Sequence, residues 1–334
     1  MNLEHLKKLL TSFGPSGRED EIRNTILELI KDRVDGYKID NVGNLIAWKK
    51  GNGKNKKKIL LDAHMDQIGF VVTHIDDKGF LRVEPIGGIM PQVIYGGRLN
   101  FNGVIGVVGI EEESRETFKK NLKEMSFDNL YVDVAGEVSK ISVGSFGIYD
   151  SYPIFKGNMV VSLALDDRIG CAILVETLLQ DEKPYNDVYA LFSVQEEHSL
   201  IGAAVGGFDV EPDMAIAIDV TDSGDVPKAH KRVSMMIGKG PAVKVMDSMS
   251  VSNPKVVEFL KRTAEKNSIE YQLEVLPFGG TDAYALERTK SGIPTAAISI
   301  PTRYIHTPSE VCDLNDADKT VELIQAVVKE EISL

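Results

Sequence analysis

The chain has 334 residues, 43% hydrophobic and 26% charged, which suits a globular protein with room for about two domains. Its 50 Asp plus Glu against 38 Lys plus Arg give a net charge of −12, which argues against nucleic-acid binding and against docking on an anionic membrane surface. No run approaches the roughly 18 apolar residues of a membrane span, and residues 1–8 lack the apolar core of a signal peptide. Those features read as a cytoplasmic protein. Cys171 and Cys312 are too few for a disulfide framework or a Cys-rich zinc site, and are expected as small buried residues.

In chain order, residues 2–12 put Leu3, Leu6, Leu9 and Leu10 on one helical face. Ser16 and Glu19 have the spacing of a capping box, ahead of a helix that buries Ile22, Ile26, Leu29 and Ile30. Residues 42–48 read as a strand, residues 54–58 as a solvated basic turn, and residues 59–61 as a second strand running into Asp62-Ala63-His64-Met65-Asp66. From about residue 68 the pattern changes to short β-rich runs broken by glycines: residues 70–75, 80–85, 98–101, 104–110 and 130–134. That predicts a small β-barrel or sandwich, with residues 111–125 as an exposed loop or short helix. After residue 160 helices and strands alternate again: helix 167–179, strand 188–194, strand 214–220, helix 254–266 opened by Pro254, helix 281–289, strand 295–300 and helix 317–330. The expected organisation is one α/β domain, residues 1–67 plus 161–334, interrupted by a β-rich insertion at 68–160.

One event recurs along the α/β part: an apolar run ends and a metal-capable side chain follows. His64 follows Ile59-Leu60-Leu61, Glu196 and Glu197 follow residues 189–194, Asp219 ends residues 214–218, and His306 lies just beyond residues 295–300. The pair Asp166-Asp167 opens a helix. Carboxyl ends of parallel strands gather along one edge of a sheet, so these groups are expected to converge. Any one of them alone would be an ordinary turn or surface residue. Two histidines with several carboxylates and no thiolate suit two divalent ions such as Zn²⁺, Co²⁺ or Mn²⁺. Such a pair needs a bridging carboxylate and activates water for hydrolysis, with one further carboxylate left free as a base. The Glu196-Glu197 pair can supply both a ligand and a base, and Asp66, two residues from His64, can orient its ring.

The blocks Phe13-Gly14-Pro15-Ser16-Gly17, Asp62-Ala63-His64-Met65-Asp66, Ala164-Leu165-Asp166-Asp167-Arg168, Val194-Gln195-Glu196-Glu197, Ile218-Asp219-Val220-Thr221, Gly279-Gly280-Thr281-Asp282 and Tyr304-Ile305-His306-Thr307-Pro308-Ser309-Glu310 together resemble metallopeptidase family 42. These are the TET-type aminopeptidases, which include glutamyl aminopeptidases and members labelled endoglucanase or cellulase. The resemblance implies an α/β/α catalytic domain of the zinc-exopeptidase (phosphorylase/hydrolase-like) type with an inserted small β-barrel. It also implies two divalent ions per subunit, Zn²⁺ or Co²⁺, with Asp166 bridging them, His64 and Asp219 completing one site, and Glu197 and His306 the other. Glu196 would be the general base acting on a water between the metals, Asp66 would support His64, and Gly280, Thr281 and Asp282 would touch substrate. The implied activity is removal of N-terminal residues from short peptides, by barrel-linked dimers assembled into a hollow dodecamer. Three positions depart from the family's pattern: Gln67 in place of the usual Glu, His198-Ser199 where Val-Gly is common, and Ser162-Leu163 where a Lys is frequent. His5, His74 and His230 match no ligand position. Two rival readings are a glycoside hydrolase, which leaves His64, Asp219 and His306 without a role, and a non-catalytic peptide-binding or assembly protein, which leaves the full ligand set without one.

Overall fold

The computed structural model describes residues 1–332. It opens with α1 (Leu3–Thr11), α2 (Asp20–Ile30), β1 (Gly36–Ile39), β2 (Leu45–Lys49) and β3 (Lys58–His64). Then come β4 (Gly69–Ile75), β5 (Leu81–Ile86), β6 (Arg98–Phe101), β7 (Val104–Ile110), α3 (Arg115–Lys123), β8 (Leu130–Asp133) and β9 (Phe146–Tyr149). The chain returns through β10 (Ile154–Lys156), β11 (Met159–Ser162), α4 (Leu165–Leu178), β12 (Asp187–Ser193), α5 (Glu196–Ser199), α6 (Ile201–Val210) and β13 (Met214–Asp222). It ends with β14 (Ala242–Met246), α7 (Pro254–Lys266), β15 (Gln272–Val275), α8 (Ala283–Glu287), β16 (Thr295–Arg303), β17 (Glu310–Asp313) and α9 (Leu314–Lys329).

The large sheet has 11 strands, in the order β1-β2-β12-β3-β13-β16-β17-β11-β10, with β14 attached to β16 and β15 to β14. Its centre, β12-β3-β13-β16, is parallel throughout. Both faces of these strands are covered, which is why they read as continuous apolar runs rather than alternating ones. The period of two still sorts their side chains. Ile59, Leu61 and Ala63 of β3 join the core under α1, α2, α4, α7 and α9, whereas Leu60 joins the smaller core under α6 and α8. The result is an α/β/α sandwich. Strands β4-β5-β8-β7-β6-β9 close into a separate barrel around Phe70, Val83, Leu99, Val108 and Val132. Edge strands β10 and β11, at the end of the segment read as inserted, hydrogen-bond to the large sheet instead. No helix among the described residues is long and apolar enough to cross a membrane, and both cysteines are free and buried.

The capping box expected at Ser16 and Glu19 does not form. Helix α2 starts at Asp20 with Glu19 as a cap that makes no side-chain cap bond. The physical reason is that Ser16 has a better partner: its hydroxyl donates to Asp66 Oδ2 at 2.6 Å. Pro15 bridges Gln67, which holds Ser16 beside that carboxylate. Asp20 and Glu21 in the first turn still favour the helix through its dipole.

Behind the same segment lies Arg168, fully buried on α4. Its guanidinium donates to the carbonyls of Leu9 (2.8 Å), Ser12 (3.2 Å) and Gly14 (3.3 Å), and to Gln67 Oε1 (3.2 Å). One cation thus gathers the irregular stretch between α1 and α2 and seats it against the sheet. Removing it strands several buried acceptors, each worth about 1–3 kcal/mol when left unpaired. Arg168→Met is therefore expected to lower unfolding free energy by about 3 kcal/mol or more. Urea denaturation checks this through a lower midpoint at unchanged slope.

Candidate metal centre and its cleft

The carboxyl ends of the parallel strands carry the candidate residues to one edge of the sheet. His64 is the last residue of β3, Glu196 and Glu197 open the short helix α5 after β12, and Asp219 lies near the end of β13. Asp166 and Asp167 begin α4 but have non-helical backbone angles, and His306 lies in the loop between β16 and β17. Several non-glycine residues bordering these groups take left-handed backbone angles: Ala164 (φ 59°), Gln195 (φ 56°), Leu200 (φ 56°) and His306 itself (φ 63°). Such angles cost about 1–3 kcal/mol each and persist where the surrounding structure imposes them. Here they flank the turns that aim the acids inward.

The histidines and acids form two donor groups. His64, Asp167 and Asp219 lie together, as do Asp166, Glu197 and His306, with their ligand atoms within 4.8 Å of one another in each group. Asp166 links the two: its Oδ1 is 3.0 Å from His64 Nε2 and its Oδ2 is 3.3 Å from His306 Nε2. Glu197 Oε2 is 3.1 Å from His306 Nε2, and Asp219 Oδ1 is 3.8 Å from His64 Nε2. Both rings turn Nε2 toward the carboxylates, because Nδ1 is engaged behind. His306 Nδ1 meets the Gly88 carbonyl at 3.1 Å, and His64 Nδ1 meets the Asp66 carbonyl at 3.2 Å, with Asp66 Oδ1 at 3.5 Å. Such backing by an oxygen is what fixes the tautomer of a ligating imidazole. Gly88 has to be glycine for this approach, since a Cβ there would lie 2.9 Å from His306 Nδ1.

Two further buried carboxylates hold the frame. Asp66 accepts the backbone N–H of Glu196 at 3.0 Å and of Glu197 at 3.2 Å, besides the Ser16 hydroxyl. Glu310 accepts the N–H of Asp166 at 3.1 Å and of His306 at 2.9 Å. Each acid therefore pins two members of the site by the main chain. Of the residues expected to touch substrate, Gly280 lines the cleft, while Thr281 and Asp282 are buried; Asp282 accepts from Ser193 Oγ at 2.7 Å. The sequence reading assigns no role to Asp167, Glu310 or Gly88, although it expects Asp167 to converge with the others. Asp167 stood beside a chosen neighbour and Glu310 inside a quoted block, so both were in view without a geometric reason to select them.

The electrostatics are those of crowded anions. Burial, with Asp166 alongside, pushes Asp219 up to about 8. Burial, reinforced by Asp219, Asp282 and Glu197 and opposed by His64, raises Glu196 well above the carboxylate range. Burial and the Asp219 charge raise Asp167 in the same way. For the histidines burial opposes charge, but Glu196, Asp166 and Asp66 raise His64 well above its usual value, and Asp166 and Glu197 push His306 up to about 12. A set of acids this crowded demands positive charge, from protons or from a bound cation. Glu197 Oε1 and Asp167 Oδ2 are buried without a hydrogen-bond partner among the described residues. Unpartnered oxygens facing mixed imidazole and carboxylate donors, with no thiolate, fit divalent cations of the Zn²⁺ or Co²⁺ kind. Glu196 belongs to neither donor group, and its Oε2 lies 3.9 Å from His64 Nε2.

These groups open into a cleft of about 580 Å³, within the usual range for small-ligand sites. The M42 glutamyl aminopeptidase family model matches residues 43–323. This chain belongs to the M42 family. The M42 chain is 42% identical over 325 residues to a putative aminopeptidase of Acetivibrio thermocellus, covering 96% of each chain. It superposes on aminopeptidase APDkam598 from the archaeon Desulfurococcus kamchatkensis with a TM-score of 0.92 at 38% identity, covering 98% of this chain and 94% of that one. It likewise matches the Pyrococcus horikoshii TET1 peptidase, which can assemble into a tetrahedron or a large octahedral shell, with a TM-score of 0.85 at 34% identity over 98% of this chain and 99% of that one. Two of the M42 chain's departures now have places in the fold. Gln67 accepts from buried Arg168, and His198 lies exposed on the cleft lining.

Proposed function

We propose that this M42 chain is a metal-dependent aminopeptidase that removes first residues from short peptides. The observation that carries the reading is the sharing of Asp166 between two donor groups while Glu196 stays outside both. Asp166 would bridge two divalent cations, Zn²⁺ or Co²⁺, with His64 and Asp219 on one side and Glu197 and His306 on the other. Asp167, in the His64 group, backs the first set. When bound, such ions polarise a carbonyl oxygen and make water more acidic. Glu196 then takes a proton from the attacking water and returns it to the leaving amine. Asp66 holds the Glu196 and Glu197 main chain in place for this, while Gly280 lines the cleft and buried Asp282 is held by Ser193. The acid-rich floor suits a substrate's free α-ammonium, which is how an exopeptidase distinguishes a chain end.

We further read residues 1–67 plus 161–334, joined by the edge segment β10–β11, as the catalytic domain, and the rest of residues 68–160 as an inserted dimerisation module. We infer assembly of such dimers into a closed dodecamer, a reading supported by the likeness to PhTET1-12s, a dodecamer in its asymmetric unit, and to the P. horikoshii TET1 peptidase, which can form a tetrahedron or an octahedral shell. The test of activity compares a free peptide with its N-acetylated twin, incubated with Zn²⁺- or Co²⁺-supplemented protein and followed by mass spectrometry. Stepwise loss of first residues from the free peptide alone is expected. Internal cuts, or equal cleavage of the blocked twin, would count against an aminopeptidase. Sugar release from carboxymethyl-cellulose would restore the glycosidase reading.

A further inference from the structure

The cleft wall contains two charged groups outside the candidate ligands and base, Lys244 and Asp222, and only one of them is satisfied. Lys244, buried on β14, has its ammonium 3.2 Å from Glu274 Oε1 and 3.5 Å from Asp247 Oδ2. Both acids are themselves buried, and Glu274 also accepts the Thr221 hydroxyl at 2.8 Å. One cation thus faces two anions, so Lys244 has no net positive charge to offer a ligand.

Asp222 is the last residue of β13, three positions beyond Asp219. It lines the cleft and is half-buried, and its carboxylate makes no hydrogen bond or ion pair with any described residue; the charges that act on it are those of His306 and Asp166. His306 is proposed as a ligand, which would leave its ring neutral. Arg303, next to Asp222's register partner Thr302, is held by both oxygens of Asp225 at 2.7 Å. A half-buried carboxylate with no protein cation on it leaves a place for a ligand's positive charge, and partial burial makes such a pairing stronger than at an open surface. Met249, Leu276 and Phe278 line the same cleft and offer apolar surface for an aliphatic stem.

We propose that Asp222 makes this cleft select peptides whose first residue has a basic side chain, lysine or arginine, with the stem on the apolar wall and the cationic head on Asp222. Long basic side chains divide in this way between apolar and charged surroundings. The proposal rests on the aminopeptidase reading, and its test separates the two.

The Zn²⁺- or Co²⁺-loaded protein is assayed on lysyl, arginyl, leucyl and glutamyl p-nitroanilides. The expected wild-type kcat/KM for the lysyl and arginyl substrates is at least about tenfold above that for the glutamyl one, a difference of about 1.4 kcal/mol. Asp222→Asn lowers the lysyl-to-leucyl ratio by at least about tenfold, mainly through KM, and Asp222→Glu, which keeps the charge, recovers part of it. A glutamyl preference in the wild type overturns the proposal and assigns specificity to Lys244, which Lys244→Met then abolishes. A ratio unchanged in both Asp222 variants, or an equal loss on all four substrates, also overturns it. If metal-loaded wild type cleaves none of the four, the aminopeptidase reading itself falls.

Discussion

Glu196→Gln is expected to lower kcat by about 10²- to 10⁴-fold, the usual contribution of a positioned general base, while metal content stays at the wild-type level. Glutamine keeps the shape of the side chain and leaves the backbone N–H of residue 196 on Asp66 Oδ1, so the fold has no reason to change. What it loses is the ability to accept a proton. The separation of effects follows from the grouping of ligands: Glu196 stands outside both donor groups, whereas its neighbour Glu197 is inside one. Glu197→Gln should therefore weaken metal retention as well as turnover. Single-turnover rates combined with metal analysis of the purified variants distinguish the two glutamates. Turnover of Glu196→Gln within about threefold of wild type would remove the base assignment, since loss of such a group is otherwise far larger.

Stripping the protein with a chelator is the second large perturbation, and it should change stability as well as activity. Without cations, Asp166, Asp167, Glu197 and Asp219 repel one another inside the fold. An ion present at a thousandfold excess over its Kd stabilises by about 4 kcal/mol. For a chain of this size that raises Tm by several degrees, on the order of 5–10 °C. The pH dependence has a definite sign. Asp219 is raised from the ordinary 3.8 to about 8 in the folded protein, so the native state binds the extra proton between those values. That contribution is fully present below about pH 4 and declines as pH rises toward 8. His306, raised to about 12, acts in the same direction above about pH 6.5. Stripped protein should therefore lose stability from pH 4 to 8, and the gain in Tm on adding Zn²⁺ or Co²⁺ should grow over the same range, because ligands bind metal deprotonated. Calorimetry of stripped and reloaded samples across that range reads both effects. His306→Ala should show little of the gain.

The parallel core was the most legible part of the sequence. Strands buried on both faces read as unbroken apolar runs, and the abrupt appearance of His64, Glu196 and Asp219 after such runs marks their carboxyl ends. Strands β14 and β15 are hard to read because each carries a buried charge, Lys244 and Glu274, that interrupts the apolar pattern and finds its partner across the strand pair. Helix α6 was hidden by three glycines, which helix propensity disfavours. They are there for packing: a Cβ on Gly202 would fall 2.4 Å from the Val194 backbone, and one on Gly206 2.5 Å from Leu191. Ser16 was misread because local spacing cannot reveal a partner 50 residues away, and Asp66 binds its hydroxyl more closely than a helix end would. At the site, residue types were readable but partnerships were not. That Glu310 holds both Asp166 and His306 by their main chains depends on β17 returning beside the centre, which no local pattern encodes.

Hydrolysis of leucyl and lysyl p-nitroanilides by chelator-stripped protein, before and after titration with Zn²⁺ or Co²⁺, bears most directly on the metal-dependent peptidase assignment. The predicted result is no turnover when stripped, with recovery that saturates near about two ions per chain, as a two-metal hydrolase requires. Turnover that survives verified metal removal, or metal-loaded protein that leaves every aminoacyl amide intact, would contradict it.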